Sequence, residues 1–511
     1  MATTFRLFYF IVRKKSAKSK MLLLQRANEL LAENKLKEAE FMFKAVLKES
    51  PDNGSALFGL GRIAMRLKQY DHAIYFLKLA CNHLPKMLEP LWALADAFTA
   101  VGSAVDTKTV LEYAISIAKH NAETHYYLGQ FYLDHGFIKE ATQTFRNGLS
   151  CPPGPVTAYM LFELSQLDTP AQLEKQLPLL HELVQQYENK PLRIVLYYAL
   201  ANSLHHIKDF KQAFDYYVLA NQTQRELCQF HTAQMLPFFT DLKARCDSKF
   251  FTTNRDRVAA TFTPVFIVGL PRMGSTLLEQ MLIAHSQIGS LGENTIISDA
   301  IVPFLEQRVN KPFPLCLHDL STSVLDHCRE LYTDEIRRNR LDKPYIINKL
   351  PANFQNIGII HKMFPDARFI HVTRERMANA WSVFSNFFAA DEPYFCDANE
   401  FQQYADMVDD TLAHFKSCIP RNMFTVSYED LVADPEKWLK QVLSFLDQRF
   451  EPECLEFYKG KRLVHTLSKA QVRKPISKRP ITAWQAYEKP FKGLLTDYEQ
   501  SKAQQNDHKL A

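Results

Sequence analysis

At 511 residues, with 47% hydrophobic and 23% charged side chains, the chain has the composition of a soluble globular protein and exceeds what one ordinary core accommodates, so two or three cores are expected. A net charge of +5 is too small and too dispersed to argue for nucleic acid, yet leaves room for a local anionic ligand. Nine scattered cysteines without a CxxC pair speak against a disulfide framework and a structural zinc site, and favour a reducing, cytoplasmic setting.

The first twenty residues carry six basic side chains, no acidic ones and the apolar patch FRLFYFIV. That patch is too short to span a bilayer, so 1–19 read as a frayed basic segment, with a weak membrane-surface or organelle-targeting role as the alternative. No later stretch is apolar for long enough to cross a membrane, and no transmembrane segment is expected.

From residue 20 onward the sequence repeats with a period of 34. Ala27, Gly61, Ala95 and Gly129 form one column, Ala39, Ala73, Thr107 and Ala141 a second, and Pro51, Pro85, Lys119 and Pro153 a third. Small residues twelve apart let two antiparallel helices approach closely, and the proline ends the second helix before the next repeat. Phe43, Leu77 and Phe145 supply the apolar interface, while Thr107 and Lys119 make the third repeat the least regular. Residues 155–190 read as helical but degenerate, after which Ala201, Ala213 and Ala220 restore the internal spacings of 12 and 7. The pattern resembles the tetratricopeptide repeat, a helix-turn-helix unit. That resemblance implies an all-α, right-handed solenoid over 20–245, with a groove of the kind that binds peptides or partner proteins. A scaffold that only packs against the rest of the chain is the alternative.

A linker over 246–262 closes the repeats, and short apolar runs of strand length follow: VFIV (265–268), YII (345–347), RFIHV (368–372) and MFTVS (423–427). Helix-length segments separate them, which predicts an α/β domain with a mainly parallel sheet over 263–497 and a polar tail over 498–511. Ligands of such sheets bind beyond the carboxyl ends of the strands.

The first of these strands runs into GLPRMGST (269–276), which fits the phosphate-loop pattern GxxxxGK[ST] except that Ser275 stands where the lysine belongs. A strand, a glycine-bearing turn and a helix N-terminus aim several backbone N–H groups at one point, which suits phosphate or sulfate whatever the side chains. Without the lysine, a group less charged than a triphosphate and needing no metal suits the loop better. A ligand-free tight turn is the plain alternative. Later, a strand delivers Arg374 to its end and Ser382 follows eight residues on, a pair able to give a charged fork and a hydroxyl to a phosphate.

PRMGSTLLEQMLIAHSQIGSLGE resembles the phosphosulfate loop and following helix of the sulfotransferases, whose usual form is PRSGTTLL followed by AHP and then GE. The segment 262–495 is similar to the branch that includes protein-tyrosine sulfotransferases, and its fusion to tetratricopeptide repeats is typical of a bacterial group. The resemblance implies an α/β P-loop-like domain that uses 3′-phosphoadenosine-5′-phosphosulfate (PAPS) as sulfuryl donor, without a metal. Arg272, Met273, Gly274, Ser275 and Thr276 then correspond to the 5′-phosphosulfate site, with Met273 in place of the usual serine. Arg374 and Ser382 correspond to the 3′-phosphate site, Tyr428 to a cofactor contact, and Ser468, Arg473 and Lys474 to a segment that closes over the nucleotide. Glu293 falls on the catalytic base and Lys349 on the lysine that stabilises the departing phosphate. His285 is expected to be structural, and Arg376, where bacterial relatives more often carry proline, a solvated charge.

The function so implied is sulfuryl transfer to a hydroxyl acceptor, with a tyrosine on a protein or peptide held by the repeats as one candidate. Two alternatives stand beside it: an interaction scaffold carrying an inactive nucleotide-binding domain, and a nucleotide kinase with a variant loop. The kinase reading needs a loop lysine and an acidic metal ligand at a strand end, and neither is present in convincing form. The loops 294–340 and 386–404, from which an acceptor pocket would be built, carry no readable code.

Overall fold

The computed structural model describes residues 17–252, 261–388, 392–459, 475–476 and 482–495. They form two compact units. The first comprises the described residues to Leu133 with Lys139–Met160, and the second Asp134–Ile138 with the described residues from Leu161 onward.

The first unit is built of helix pairs. Its elements are α1 (Ala17–Ala32), α2 (Leu36–Glu49), α3 (Gly54–Arg66), α4 (Tyr70–His83), α5 (Glu89–Ala100), α6 (Ala104–Ile117), α7 (Ala122–Asp134) and α8 (Ile138–Leu149). The small-residue columns lie where paired helices touch: Ala27, Ala39, Ala73 and Ala141 are fully buried. The glycines among them are required by closeness of approach. A Cβ on Gly61 would lie 2.7 Å from the Leu77 side chain, and one on Gly129 2.3 Å from the Phe145 ring. Thr107, the irregular member, is buried with its hydroxyl satisfied, donating to the Ser103 carbonyl at 2.9 Å.

The second unit begins within α9 (Pro155–Leu167) and continues through α10 (Pro170–Gln186), α11 (Lys190–His206), α12 (Phe210–Arg225), α13 (Leu236–Arg245) and α14 (Ser248–Thr252). Ala201, Ala213 and Ala220 are fully buried at the α11–α12 crossing, in the repeat register. Yet Ile194, Tyr198 and Tyr217 of the same helices belong to one continuous core with the sheet. The compact units divide the chain near residue 160, inside the 20–245 stretch whose sequence reads as repeats. The first part of the expected linker is also packed: Phe250 and Phe251 of α14 are buried, and Lys362 donates to the Phe250 carbonyl with its ammonium 4.4 Å from that ring.

The sheet has five parallel strands in the order β2-β3-β1-β4-β5. They are β1 (Thr263–Val268), β2 (Ile288–Ser290), β3 (Tyr345–Asn348), β4 (Arg368–Thr373) and β5 (Met423–Ser427). β1 is central and buried from Pro264 to Val268, which is why its sequence is an unbroken apolar run. In register, Val265 lies between Ile347 of β3 and Arg368 of β4. The connecting helices are α15 (Ser275–Ile283), α16 (Val302–Val309), α17 (Thr322–Arg338), α18 (Ile357–Met363), α19 (Arg376–Phe384), α20 (Ala398–Cys418), α21 (Tyr428–Ala433) and α22 (Pro435–Phe445). After β1 the chain builds one side of the sheet and then crosses to the other. Its direction reverses about β1, a topological switch point of the kind where ligands gather.

Candidate active site

Each strand delivers a candidate residue just past its carboxyl end. β1 leads to the 269–276 loop, β2 to Glu293, β3 to Lys349, β4 to Arg374 and β5 to Tyr428.

The loop is shaped by two glycines and its neighbours. At Gly269 (φ 139°) a Cβ would stand 3.1 Å from the Val372 carbonyl oxygen, a tight contact on a backbone conformation that favours glycine. Arg272 (φ 63°) and Gly274 (φ 91°) both adopt the left-handed region, folding the chain back to start α15 at Ser275. The fold-back is pinned from α19 and the end of β4: Asn379 Nδ2 donates to the Pro271 carbonyl at 2.8 Å, and Arg374 Nη1 to the Arg272 carbonyl at 2.9 Å. Met273 is 4% exposed and part of the hydrophobic core. The residue in the usual serine's place thus anchors the loop instead of offering it a hydroxyl. Ser275 and Thr276, both buried, open the helix.

Residues far apart in sequence meet here. Arg272 Nε donates to Ser382 Oγ at 3.3 Å, joining the loop to α19. The Arg374 guanidinium lies 5.0 Å from the Tyr428 ring centroid, and that ring packs against Gly274. Burial, reinforced by the neighbouring Arg374, pushes the Arg272 guanidinium down to about 10. Burial likewise lowers Arg374 against the opposing pull of Tyr428, Glu429 and Glu375, and raises the Tyr428 phenol. Two guanidiniums held together in a partly buried site are stabilised by an anion between them, which would offset both burial and mutual repulsion. α19 is set firmly: Glu375 caps it by accepting from Met377 N (2.9 Å) and Ala378 N (2.5 Å), and Trp381 stacks on Tyr487 with centroids 4.1 Å apart.

The other two candidates form a direct ion pair. Lys349 is fully buried and its ammonium donates to Glu293 Oε1, while the Glu293 side chain is 41% exposed. Backbone pairing fixes the lysine, since Lys349 N donates to the Gly292 carbonyl at 2.9 Å. Behind it runs an asparagine relay. Asn348 Nδ2 donates to the Asn294 carbonyl (3.1 Å), Asn353 Nδ2 to Asn348 Oδ1 (3.2 Å) and Asn356 Nδ2 to Asn353 Oδ1 (3.1 Å). The NKLPANFQN stretch thereby holds the ends of β2 and β3 together.

Ser468, Arg473 and Lys474 lie outside the described residues. His285 is engaged with the backbone: its Nδ1 accepts from Gln287 N (3.1 Å), and its Nε2 donates to the Arg449 carbonyl (2.9 Å). Arg376 pairs with Asp409 and, at 3.3 Å, with Asp406. Two site residues escaped the sequence reading. Asn379, fully buried, holds the loop, and Glu279 on α15 is a 5% exposed carboxylate 3.8 Å from the Lys349 ammonium. The signal for Glu279 was a charged residue on the face that Leu278, Met281 and Leu282 otherwise make apolar.

Residues 264–452 match the sulfotransferase family, and residues 30–96 the tetratricopeptide repeat. An uncharacterized protein of Aquifex aeolicus is 29% identical over 298 residues, covering 55% of this chain and 38% of that protein. Protein-tyrosine sulfotransferase 1 of Danio rerio is 28% identical over 236 residues, covering 43% of this chain and 65% of the relative. The matches thus span less than two thirds of either relative. Among solved structures, a sulfotransferase domain from the curacin biosynthetic pathway aligns with 19% identity and a TM-score of 0.32, over 44% of this chain and 92% of that one. Every candidate from Arg272 to Tyr428 lies inside the segment matched to the sulfotransferase family.

Proposed function

We propose that the sulfotransferase-family domain moves a sulfuryl group from PAPS to an acceptor hydroxyl, and that the acceptor is a tyrosine of a protein or peptide. The observation that carries the donor half is the convergence of Arg272, Arg374, Ser382 and Tyr428 on a lysine-free phosphate loop at the sheet's switch point. The acceptor half rests on similarity to a protein-tyrosine sulfotransferase and on the tetratricopeptide match, whose family offers peptide-binding grooves.

PAPS supplies an activated sulfuryl group on a 5′-phosphate and a separate 3′-phosphate. The backbone N–H groups of 272–276 receive the former and Arg374 with Ser382 the latter, which suits a site already crowded with guanidiniums. Glu293, the more exposed of the ion pair, takes the acceptor's hydroxyl proton. Lys349 places its ammonium against the charge that develops on the departing phosphate. In the resting site these two groups neutralise each other, so their pair opens before either acts.

The test is a pair of calorimetric titrations. Adenosine 3′,5′-bisphosphate without magnesium should bind at least tenfold more tightly than ATP with magnesium. The reverse order would restore the nucleotide-kinase reading.

A further inference from the structure

The Lys349 ammonium is buried between two carboxylates, not one. Glu293 Oε1 accepts from it directly, and Glu279 Oε2 lies 3.8 Å away. Glu279 is held in turn: Ser290 Oγ donates to its Oε1 at 2.6 Å, and the same Ser290 oxygen accepts from Gly292 N at 2.8 Å. Gly292 also offers its carbonyl to Lys349 N, so the turn after β2 braces both the lysine and its second carboxylate. The two acids differ in surroundings, Glu279 being 6% exposed at its side chain and Glu293 41%.

That asymmetry matters because opening the Lys349–Glu293 pair would otherwise strand a buried ammonium, a costly state. We propose that Glu279 is a positioning residue that keeps the Lys349 ammonium at the end of β3 when Glu293 leaves it to take the acceptor's proton. Glu279 makes and breaks no bond itself. The inference rests on the sulfuryl-transfer reading and adds to it the element that frees the base.

The test uses the full chain with Glu279→Gln, close to isosteric, alone and combined with Lys349→Ala. Glu279→Gln should lower kcat for transfer from labelled PAPS about ten- to hundredfold, the effect of removing the remaining countercharge from a buried ammonium. Affinity for adenosine 3′,5′-bisphosphate should stay within about twofold, and Glu279→Asp should recover part of the loss. In the Lys349→Ala background the same substitution should change residual turnover by less than about twofold, because the group it acts through is gone. Urea denaturation of the same four proteins gives a second cycle, in which the double variant should be more stable than additivity predicts. Parent-like turnover by Glu279→Gln, equal losses in both backgrounds, or additive destabilisation would each overturn the inference while leaving sulfuryl transfer standing. A parent chain that transfers no label to any hydroxyl acceptor would instead sink the sulfuryl-transfer reading, and the inference with it.

Discussion

Gly274→Ala is the sharpest single perturbation of the phosphate loop. Gly274 sits at φ 91°, where an L-residue costs about 1–2 kcal/mol. Its new methyl carbon would lie 2.3 Å from Cδ2 and 2.9 Å from Cε2 of Tyr428, closer than carbon atoms pack. Relieving such overpacking costs about 1–3 kcal/mol more. The ring cannot simply yield, because it is 7% exposed and lies beneath the Arg374 guanidinium. The expected outcome is a loss of about 2–5 kcal/mol shared between folding and binding. Urea denaturation followed by intrinsic fluorescence would read the first part, and titration with adenosine 3′,5′-bisphosphate the second, as at least a tenfold weaker affinity. An alanine variant with the parent's denaturation midpoint and the parent's affinity would refute the packing of this loop on Tyr428 and its part in holding the nucleotide.

Further outcomes follow from the same geometry. Arg374→Ala should weaken adenosine 3′,5′-bisphosphate binding by about 1.5–3 kcal/mol, and equal affinity in a calorimetric titration would remove it from the 3′-phosphate site. Glu293→Gln should lower turnover by about 10²–10⁴ with a tyrosine peptide, and a parent-like rate would exclude it as the base. Tyr487→Ala, which empties a fully buried site stacked on Trp381 and bonded to His205 Nδ1 (2.7 Å), should cost about 3–5 kcal/mol in urea denaturation; a loss under about 1 kcal/mol would contradict it. Burial pushes Glu400 upward, but the Thr232 N–H and Arg225 outweigh it and hold the carboxyl below its ordinary 4.5. Its contribution to stability is complete above that value and lost as pH falls through the depressed folded one. The parent should therefore lose stability more steeply in that acid range than Glu400→Gln, and parallel curves would count against the pairing.

Much of this was legible because the physics behind it is local. Helices that touch need small residues at the crossing, so Ala27, Gly61, Ala73 and Gly129 announced the pairs in a sequence column. Strands buried on both faces need apolar runs, so β1, β3, β4 and β5 stood out. β2 did not: its three residues, Ile288–Ser290, are too short and too poor in β-branched side chains to read as a strand, and take their conformation from β3. Periodicity also tells which face of a helix is buried but not against what. Ala201, Ala213 and Ala220 read as one more repeat, and nothing in their spacing said that α12 serves the sheet-bearing unit. There Asn221 Nδ2 donates to the Phe384 carbonyl at 2.8 Å and Gln224 Nε2 to that of Phe388 at 2.7 Å. The Arg374 and Ser382 spacing was visible as a motif, whereas Arg272 reaching Ser382 across 110 positions is a tertiary fact. Glu279 stood out as a charge among apolar neighbours on α15, but its partner, Lys349 at the end of β3, is a tertiary fact of the same kind.

Sulfuryl transfer from PAPS, as proposed, is tested most directly with labelled donor. Incubated with labelled PAPS and a tyrosine-bearing peptide, the full chain should place label on the tyrosine hydroxyl in a time-dependent way, without added metal, and Lys349→Ala should slow it by about a hundredfold or more. Absence of label from every hydroxyl acceptor offered, by a protein that binds the nucleotide, would contradict the account.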